Sequence, residues 1–363
     1  MSHIVIDARN IATSTGTYTE RLLHYLQELD HDNHYTVLIR SHDQEFWQPR
    51  ADNFQVEFAD FQPYSVAEQT GLKRLLGRLG PDLVHFTMPQ QPIAWRGRTV
   101  TTIHDLTLLK VYNPHKNWAV YKTKQLVGRY VFWKIAHSSD AIIVPTEYTK
   151  HGLLEFARIS PDKVHVTYEA ADVGQFTPEP YEVPFERFII NVGRHSEYKN
   201  IVRLAEAHQK LLANYPDLGL VLVNPADTAT RGNETLFKKR SYRNIHFTHR
   251  ISKNQRDFLY QNATVYAVPS LHEGFGLGGL EAMGFGLPVL SSNASCLPEV
   301  YGKGALYFDP LDVSDIAAKI DEILSNDKAR RALIVCGKKR HAQVSWHKMA
   351  AETLQVYHEV LGK

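Results

Sequence analysis

Two carboxylates eight positions apart, Glu273 and Glu281, sit among glycines and apolar residues in "PSLHEGFGLGGLEAMGFGLPV", residues 269 to 289. An ionised carboxylate accepts hydrogen bonds more strongly than a neutral oxygen, so the pair suits a ligand rich in hydroxyls. The loop "EGFGLGGLEAM" follows the strand-like "TVYAVPS" and opens a helix. Its Gly274, Phe275, Gly276 and Leu277 are therefore expected to present backbone amides at a helix N-terminus, in a cleft at the carboxyl ends of parallel strands. The plainer reading makes Glu273 a surface turn residue and Glu281 a solvated helix residue. Upstream, "NVGRHSEYKN" closes another strand with Arg194 and Lys199 five apart. Arg offers a planar fork and Lys a compact charge, a combination that can neutralise a diphosphate. Solvated loop charges, or partners for carboxylates such as Glu197, are the alternative. Near the start, Gly16 in "STGTYTE" precedes a helix whose first turn holds Thr17, which makes either an anion cradle or an ordinary strand-to-helix turn. His104 in "TIHDL" follows a strand, where Asp105 is placed to orient it.

These residues need elements to hold them. Short apolar runs alternate with helical patterns: "HIVIDA", "YTVLIR", "LVHFT", "TVTTIH" and "AIIVPT" in the first half, then "FIINVG", "GLVLVN", "NIHFTH", "TVYAVP" and "PVLSS". Such alternation predicts α/β architecture with two Rossmann-like, doubly wound domains facing each other across a cleft. The prolines and carboxylates of residues 170 to 187 interrupt the pattern. Domains are thus expected over 1–180 and 181–345. The C-terminal pattern Trp346, Met349, Ala350, Thr353, Val356, Tyr357 and Val360 reads as an amphipathic helix, 346–363, docking back on the first domain. Within residues 114 to 136, Val120, Thr123, Val127, Tyr130 and Val131 read as a core stripe, opposite a basic aromatic face of Trp118, Lys122, Arg129 and Trp133. That face suits either an anionic membrane surface or solvent. "GLKRLLGRLG", residues 71 to 80, is weakened as a helix by its glycines.

Composition narrows the classes. A net charge of +2 over 363 residues gives no field for nucleic acid as main partner. Two cysteines without CxxC spacing argue against a disulfide framework or structural zinc, and for a reducing cytoplasm. No run of about 18 apolar residues suggests a membrane span, which leaves a cytoplasmic protein or one peripheral to the membrane's inner face. The one DxD-like motif, "DHD" at Asp30 to Asp32, reads as a helix-ending turn rather than a metal site.

Taken together, the Gly16 loop, "TIHDL", "SDAIIVPTEYTK", "NVGRHSEYKN", the two glutamates in their "EGFG" setting and "LPEVYGKGALYFDP" resemble the family-4 glycosyltransferases, retaining enzymes of the GT-B fold. The resemblance covers nearly the whole chain. It implies transfer of a hexosyl group from a nucleotide-diphosphate sugar, GDP-mannose or a UDP-hexose, to a glycan or polyprenyl-linked acceptor, in polysaccharide or glycolipid assembly and without a metal or other cofactor. By the same resemblance Arg194 and Lys199 grip the diphosphate, Glu273 binds donor-sugar hydroxyls and Glu281 the ribose. Leu277 meets phosphate, His104 lies near sugar and acceptor, and Gly16 and Thr17 border the donor. Ile251 and Ser252 in "HRISKNQ" fall on the turn that lines the base pocket. Where relatives often carry glycine, this chain has His249, Arg250 and Asn224 and lacks a second glycine near Gly16. A nucleotide-sugar epimerase or a nonenzymatic sugar-nucleotide binder is the alternative.

Overall fold

A computed structural model describes residues 1–13, 15–110, 118–174 and 177–363. The chain divides into two compact units, Met1–Glu169 with Ser345–Lys363, and Ala170–Val344. The first unit thus ends at Glu169 rather than at 180. The Pro-rich stretch after it belongs to the second unit, where the Glu179 amide bonds the Asn254 carbonyl and the Phe185 ring lies where a side chain on Gly219 would stand. Gln175 and Phe176 of that stretch lie outside the described residues.

The first unit holds strands β1 (His3–Asp7), β2 (His34–Ile39), β3 (Phe54–Phe58), β4 (Leu83–Phe86), β5 (Thr99–Thr102), β6 (Ala141–Val144) and β7 (Val164–Val166). They form one sheet in the order β3-β2-β1-β4-β5-β6-β7, with every pairing parallel. Ile4, Val5 and Ile6 are fully buried, as a strand covered by helices on both faces requires. Each such side chain contributes about 1.5–3 kcal/mol. The helix Trp346–Leu361 packs on the helix Gly16–Leu29 and buries Trp346, Met349, Ala350, Thr353, Val356 and Tyr357. Val360, at the end of the expected stripe, is half-buried.

In the second unit β8 (Phe188–Val192), β9 (Gly219–Val223), β10 (Ile245–His249), β11 (Val265–Val268), β12 (Val289–Ser292) and β13 (Ala305–Phe308) make a parallel sheet ordered β10-β9-β8-β11-β12-β13. Its core joins strand residues such as Ile189, Leu220 and Leu290 to Leu204 and Leu211 of the helix Ile201–Leu211 and to Ile316 and Ile320 of the helix Val313–Ser325.

Two expectations change. Among the described side chains of the helix Trp118–Ser138 the buried ones are Phe132, Ile135 and Ala136, of which Phe132 and Ala136 pack against Ile103, Leu106 and Leu109, while Val127 and Tyr130 are exposed. The core stripe assigned to Val127 and Tyr130 was therefore rotated onto the wrong face; Trp118, Val120, Lys122 and Thr123 fall outside the described side chains. Residues 71 to 80 do form helix, because Leu72, Leu75 and Leu76 are buried and Gly71 leaves room for the Phe61 ring. Asp30 ends the first helix as expected, and its carboxylate accepts from the Asn33 amide groups and the Tyr35 hydroxyl. Among the described residues no helix is long and apolar enough to cross a membrane.

Candidate functional site

The candidate residues fall into two groups, one on each unit. In the second unit, β8 ends in the turn Glu197–Lys199, and Asn200 continues it in a left-handed conformation (φ 59°). The buried Asn200 side chain donates to the carbonyls of Pro269 (3.0 Å) and Pro310 (2.7 Å), while the Leu271 amide donates to the Tyr198 carbonyl (2.7 Å). These bonds tie the lysine turn to the start of the glycine loop. As a result Lys199 Nζ stands 2.7 Å from Glu273 Oε1, across 74 positions of sequence. Glu273 is held from behind: its amide donates to Ser295 Oγ (3.1 Å) and its carbonyl accepts from Cys296 Sγ (3.2 Å). The lysine's partner is thus Glu273 and not Glu197. Arg194 is exposed and, among the described residues, its side chain makes no hydrogen bond or ion pair, though its charge helps hold the Asp227 carboxyl below its usual range after the Thr230 amide.

The helix Leu277–Gly284 follows, capped by Gly276 at φ 95°, a left-handed conformation that favours glycine. Gly276, Gly278 and Gly279 have a further cause that sequence reading missed. A side chain on any of them would collide with the buried Tyr301 or Tyr266 hydroxyl, and Tyr301 donates to the Gly276 carbonyl at 2.5 Å. The glycines make room for a tyrosine layer as well as a loop. Phe275 is buried; Leu277 begins the helix.

Glu281 is neither solvated nor alone. Its Oε2 accepts from the Tyr260 hydroxyl (2.9 Å), and Arg256 approaches Oε1 at 3.5 Å. Both partners lie on the helix Lys253–Asn262, one turn apart. Burial and then the Glu281 charge push the Tyr260 phenol far above its usual range, so it stays a donor. Tyr266 is raised by burial first, then by Glu281 and Glu273, which places its ring within the field of both carboxylates. The i,i+4 spacing of Arg256 and Tyr260 was visible in sequence, but their partner was not. Ser252 is accounted for as the cap of this helix: its hydroxyl accepts from the Gln255 amide and donates toward Glu179, and Gln255 returns the bond to the Ser252 amide. Ile251, half-buried, and the exposed Ser252 stand side by side on this turn.

In the first unit Gly16 opens the helix Gly16–Leu29, and a side chain there would meet the Ile11 carbonyl oxygen at 2.0 Å. Among the described residues no side chain caps the helix start, and its first-turn amides lie near the exposed Thr17. His104 follows β5. Its Nδ1 faces Glu169 Oε1 (2.9 Å), its Nε2 faces the Thr87 carbonyl (3.0 Å), and the Tyr18 ring stands edge-on at 4.8 Å between centroids. A carbonyl only accepts, and so does a carboxylate when ionised, so beside these two oxygens the geometry favours the form of the ring in which both nitrogens donate. Burial pulls the His104 pKa down, but the Glu169 bond and charge, with the Thr87 carbonyl, raise it above its ordinary value. Asp105 does not orient this ring through a hydrogen bond. It accepts from the Thr107 amide (2.7 Å) and caps the short helix Thr107–Lys110. Glu169, the orienting carboxylate, lies 65 positions away and carries no local signal.

Residues 15–175 match the pattern described as Glycosyltransferase Family 4, and residues 179–340 that of Glycosyl transferases group 1. The O-antigen chain mannosyltransferase B of Escherichia coli is 28% identical over 282 residues, covering 72% of this chain and 70% of that protein. The MMP alpha-(1->4)-mannosyltransferase of Mycolicibacterium hassiacum is 29% identical over 234 residues, 63% and 56% of the two chains. The serotype-specific mannosyltransferase WbdA of Escherichia coli is 27% identical over 330 residues, 82% of this chain but 39% of that longer one. Among solved structures, sucrose-phosphate synthase from Thermosynechococcus elongatus superposes with a TM-score of 0.78 at 19% identity over the whole of both chains. Anabaena HepE in complex with UDP and glucose gives 0.72 at 14% identity, covering 98% of this chain and 99% of that one.

Proposed function

Since this chain belongs to the family-4, group 1 glycosyltransferases and has the GT-B fold, we propose that it is a retaining, metal-independent hexosyltransferase. Its donor is a nucleotide-diphosphate sugar, GDP-mannose in first place and a UDP-hexose in second, and its acceptor a glycan or lipid-linked glycan in polysaccharide or glycolipid assembly. Similarity to three mannosyltransferases supports the choice of sugar. The observation that carries the reading is the Lys199–Glu273 contact at 2.7 Å, with the unpaired Arg194 on the same strand end.

A sugar diphosphate has one place where hydroxyls and phosphate oxygens adjoin, and Lys199 beside Glu273 offers a cation and an acceptor at that spacing. Departure of the diphosphate builds negative charge on its oxygens, which prepositioned Arg194, Lys199 and the amides at Gly276 and Leu277 are suited to stabilise. Glu281, steadied by Arg256 and Tyr260, reads the ribose diol. His104 contributes positive charge and a fixed ring face rather than a base, since both nitrogens are engaged. The acceptor proton then passes to a donor phosphate oxygen on the face the nucleotide leaves. The free cysteines, one of them the exposed Cys336, suit a reducing cytoplasm. The exposed Leu126, Val127, Tyr130 and Trp133 of one helix suit a peripheral membrane position.

A panel of nucleotide sugars, scored by proton NMR for sugar release or transfer in the presence of a chelator, tests this. We expect one donor to be consumed with retention at the anomeric carbon. Consumption only with added divalent metal, or conversion to an epimeric nucleotide sugar, would overturn it.

A further inference from the structure

A cavity of about 270 Å³ opens in the first unit, lined by Asp7, Arg9, Asn10, Arg40, Thr87 and Gln90 among others. It lies where β1, β2 and β4 end. In the sheet order β3-β2-β1-β4 the connections run one way from β1 to β2 and the other way to β4, so the cavity sits at the switch point where open parallel sheets take ligands. Its wall adjoins His104, because the Thr87 carbonyl is the acceptor for His104 Nε2. The volume is small and fits a single sugar ring better than a nucleotide.

The two arginines of this cavity differ. Arg9 is buried and nearly spent: it grips both Asp7 oxygens (2.8 and 2.7 Å), stands 3.0 Å from Glu68, and donates to the carbonyls of Phe61 and Gln90. Arg40 has no such clamp. Among the described residues its side chain makes no hydrogen bond or ion pair, and its Nε is sealed from solvent without an acceptor. Asp60 feels its charge only from beyond ion-pairing distance and is itself engaged by the amide and hydroxyl of Ser41. A buried donor without an acceptor is costly, and a guanidinium is satisfied best by a two-oxygen anion. Asp7 lines the cavity beside Arg9 and already occupies that guanidinium, which leaves the Arg40 end for an anion and the Asn10, Thr87 and Gln90 side for neutral hydroxyls.

We propose that this cavity is an acceptor subsite for a sugar carrying an anionic oxygen group, a phosphate or a carboxylate, with Arg40 as the residue that selects it. The inference rests on the transferase reading above. Its test separates the two. Mannose, mannose 6-phosphate and glucuronate are titrated into the full-length protein by ligand-observed NMR, with and without saturating nucleoside diphosphate. Thermal midpoints confirm that each variant is folded. The wild-type protein is expected to bind at least one anionic sugar roughly tenfold or more tighter than mannose, a charge-assisted bond's worth. Which of the two does so distinguishes phosphate from carboxylate. Arg40→Gln is expected to erase the preference and Arg40→Lys to keep part of it, with nucleoside diphosphate leaving it unchanged. Equal binding of mannose and both anionic sugars, or a preference that survives Arg40→Gln, would overturn the proposal. So would displacement of the anionic sugar by nucleoside diphosphate, which assigns the anion to the donor. If no nucleotide binds the wild-type protein while the Arg40-dependent preference persists, the donor reading fails and the anion subsite stands.

Discussion

The two units share a plan, parallel strands whose carboxyl ends carry the candidate residues, yet they treat charge in opposite ways. In the second unit, Lys199 and Glu273 keep about a quarter and an eighth of their side chains exposed, at 24% and 13%, and Arg194 is open altogether. A ligand can take over such contacts, since water already competes for them. In the first unit His104 and Arg9 are clamped by carboxylates exposed by 8% or less, Glu169 for the histidine and Asp7 with Glu68 for the arginine. There the charges are fixed before any ligand arrives. The contrast suggests a division of labour: the second unit exchanges its ion pairs for substrate, and the first holds a preset electrostatic wall. Two histidines repeat the theme. His104 has its pKa raised by Glu169 against the pull of burial, whereas His195 in the second unit is buried without a hydrogen-bond partner for either nitrogen among the described residues, and burial lowers its pKa to about 4.

Removing the exchangeable cation should have the largest effect. Lys199→Ala is expected to lower kcat by about 10²–10³, the usual consequence of losing one preorganised group that meets developing charge. A loss confined to thermal stability, with turnover intact, would reduce the Lys199–Glu273 pair to scaffolding. Next, Glu281→Ala should weaken nucleoside diphosphate binding by roughly 10- to 100-fold, as expected when a charged hydrogen-bond acceptor is removed. Unchanged calorimetric affinity removes its ribose role.

On the fixed side, Glu169→Gln should lower the His104 pKa and move the alkaline limb of the rate profile to lower pH. The stability effect has a definite sign. His104 is raised in the folded protein, so the stabilisation from its pairing with Glu169 is complete below about pH 6.5 and fades as pH rises through the folded value. The gap in thermal midpoint between wild type and Glu169→Gln should therefore narrow toward high pH. His195 acts in the other direction: what its neutral ring contributes is present above about pH 6.5 and lost as pH falls through about 4. Smallest of all, Tyr301→Phe deletes the bond to the Gly276 carbonyl together with the hydroxyl's contact to the Gly279 backbone amide, and should cost about 1 kcal/mol of stability, measured by denaturant unfolding.

What could be read from the sequence follows the same line between local and distant causes. Strands sheathed on both sides announce themselves as apolar runs, and β1, β2, β4 to β6, β8, β9, β11 and β12 were legible that way; one edge strand, β10, was also read, from "NIHFTH". The strands overlooked were β3, β7 and β13, and all three are sheet edges. Their half-exposed residues, as in "FQVEF", leave no continuous run. The face of the helix Trp118–Ser138 was misread because apolar residues stand all round it, so periodicity alone could not choose between Tyr130 and Phe132. At the site, Arg194, Lys199, Glu273 and Glu281 could be named because each lies in a compact motif. Glu169, Arg256 and the Arg9–Glu68 pair could not, because each is defined by a partner that the fold brings from elsewhere. The glycines of the 274–279 loop were noticed for the right position and only half the cause, since the tyrosines that need them are Tyr266 and Tyr301.

The central claim is that the second unit grips a diphosphate through its exchangeable cations. Calorimetric titration with a nucleoside and with its diphosphate, on the wild-type protein and on Arg194→Ala/Lys199→Ala, tests it most directly. The account predicts that the wild type prefers the diphosphate by at least about 100-fold, the effect of two charge-assisted contacts, and that the double variant loses the preference while still binding the nucleoside. A preference for the diphosphate that survives in the double variant would contradict it.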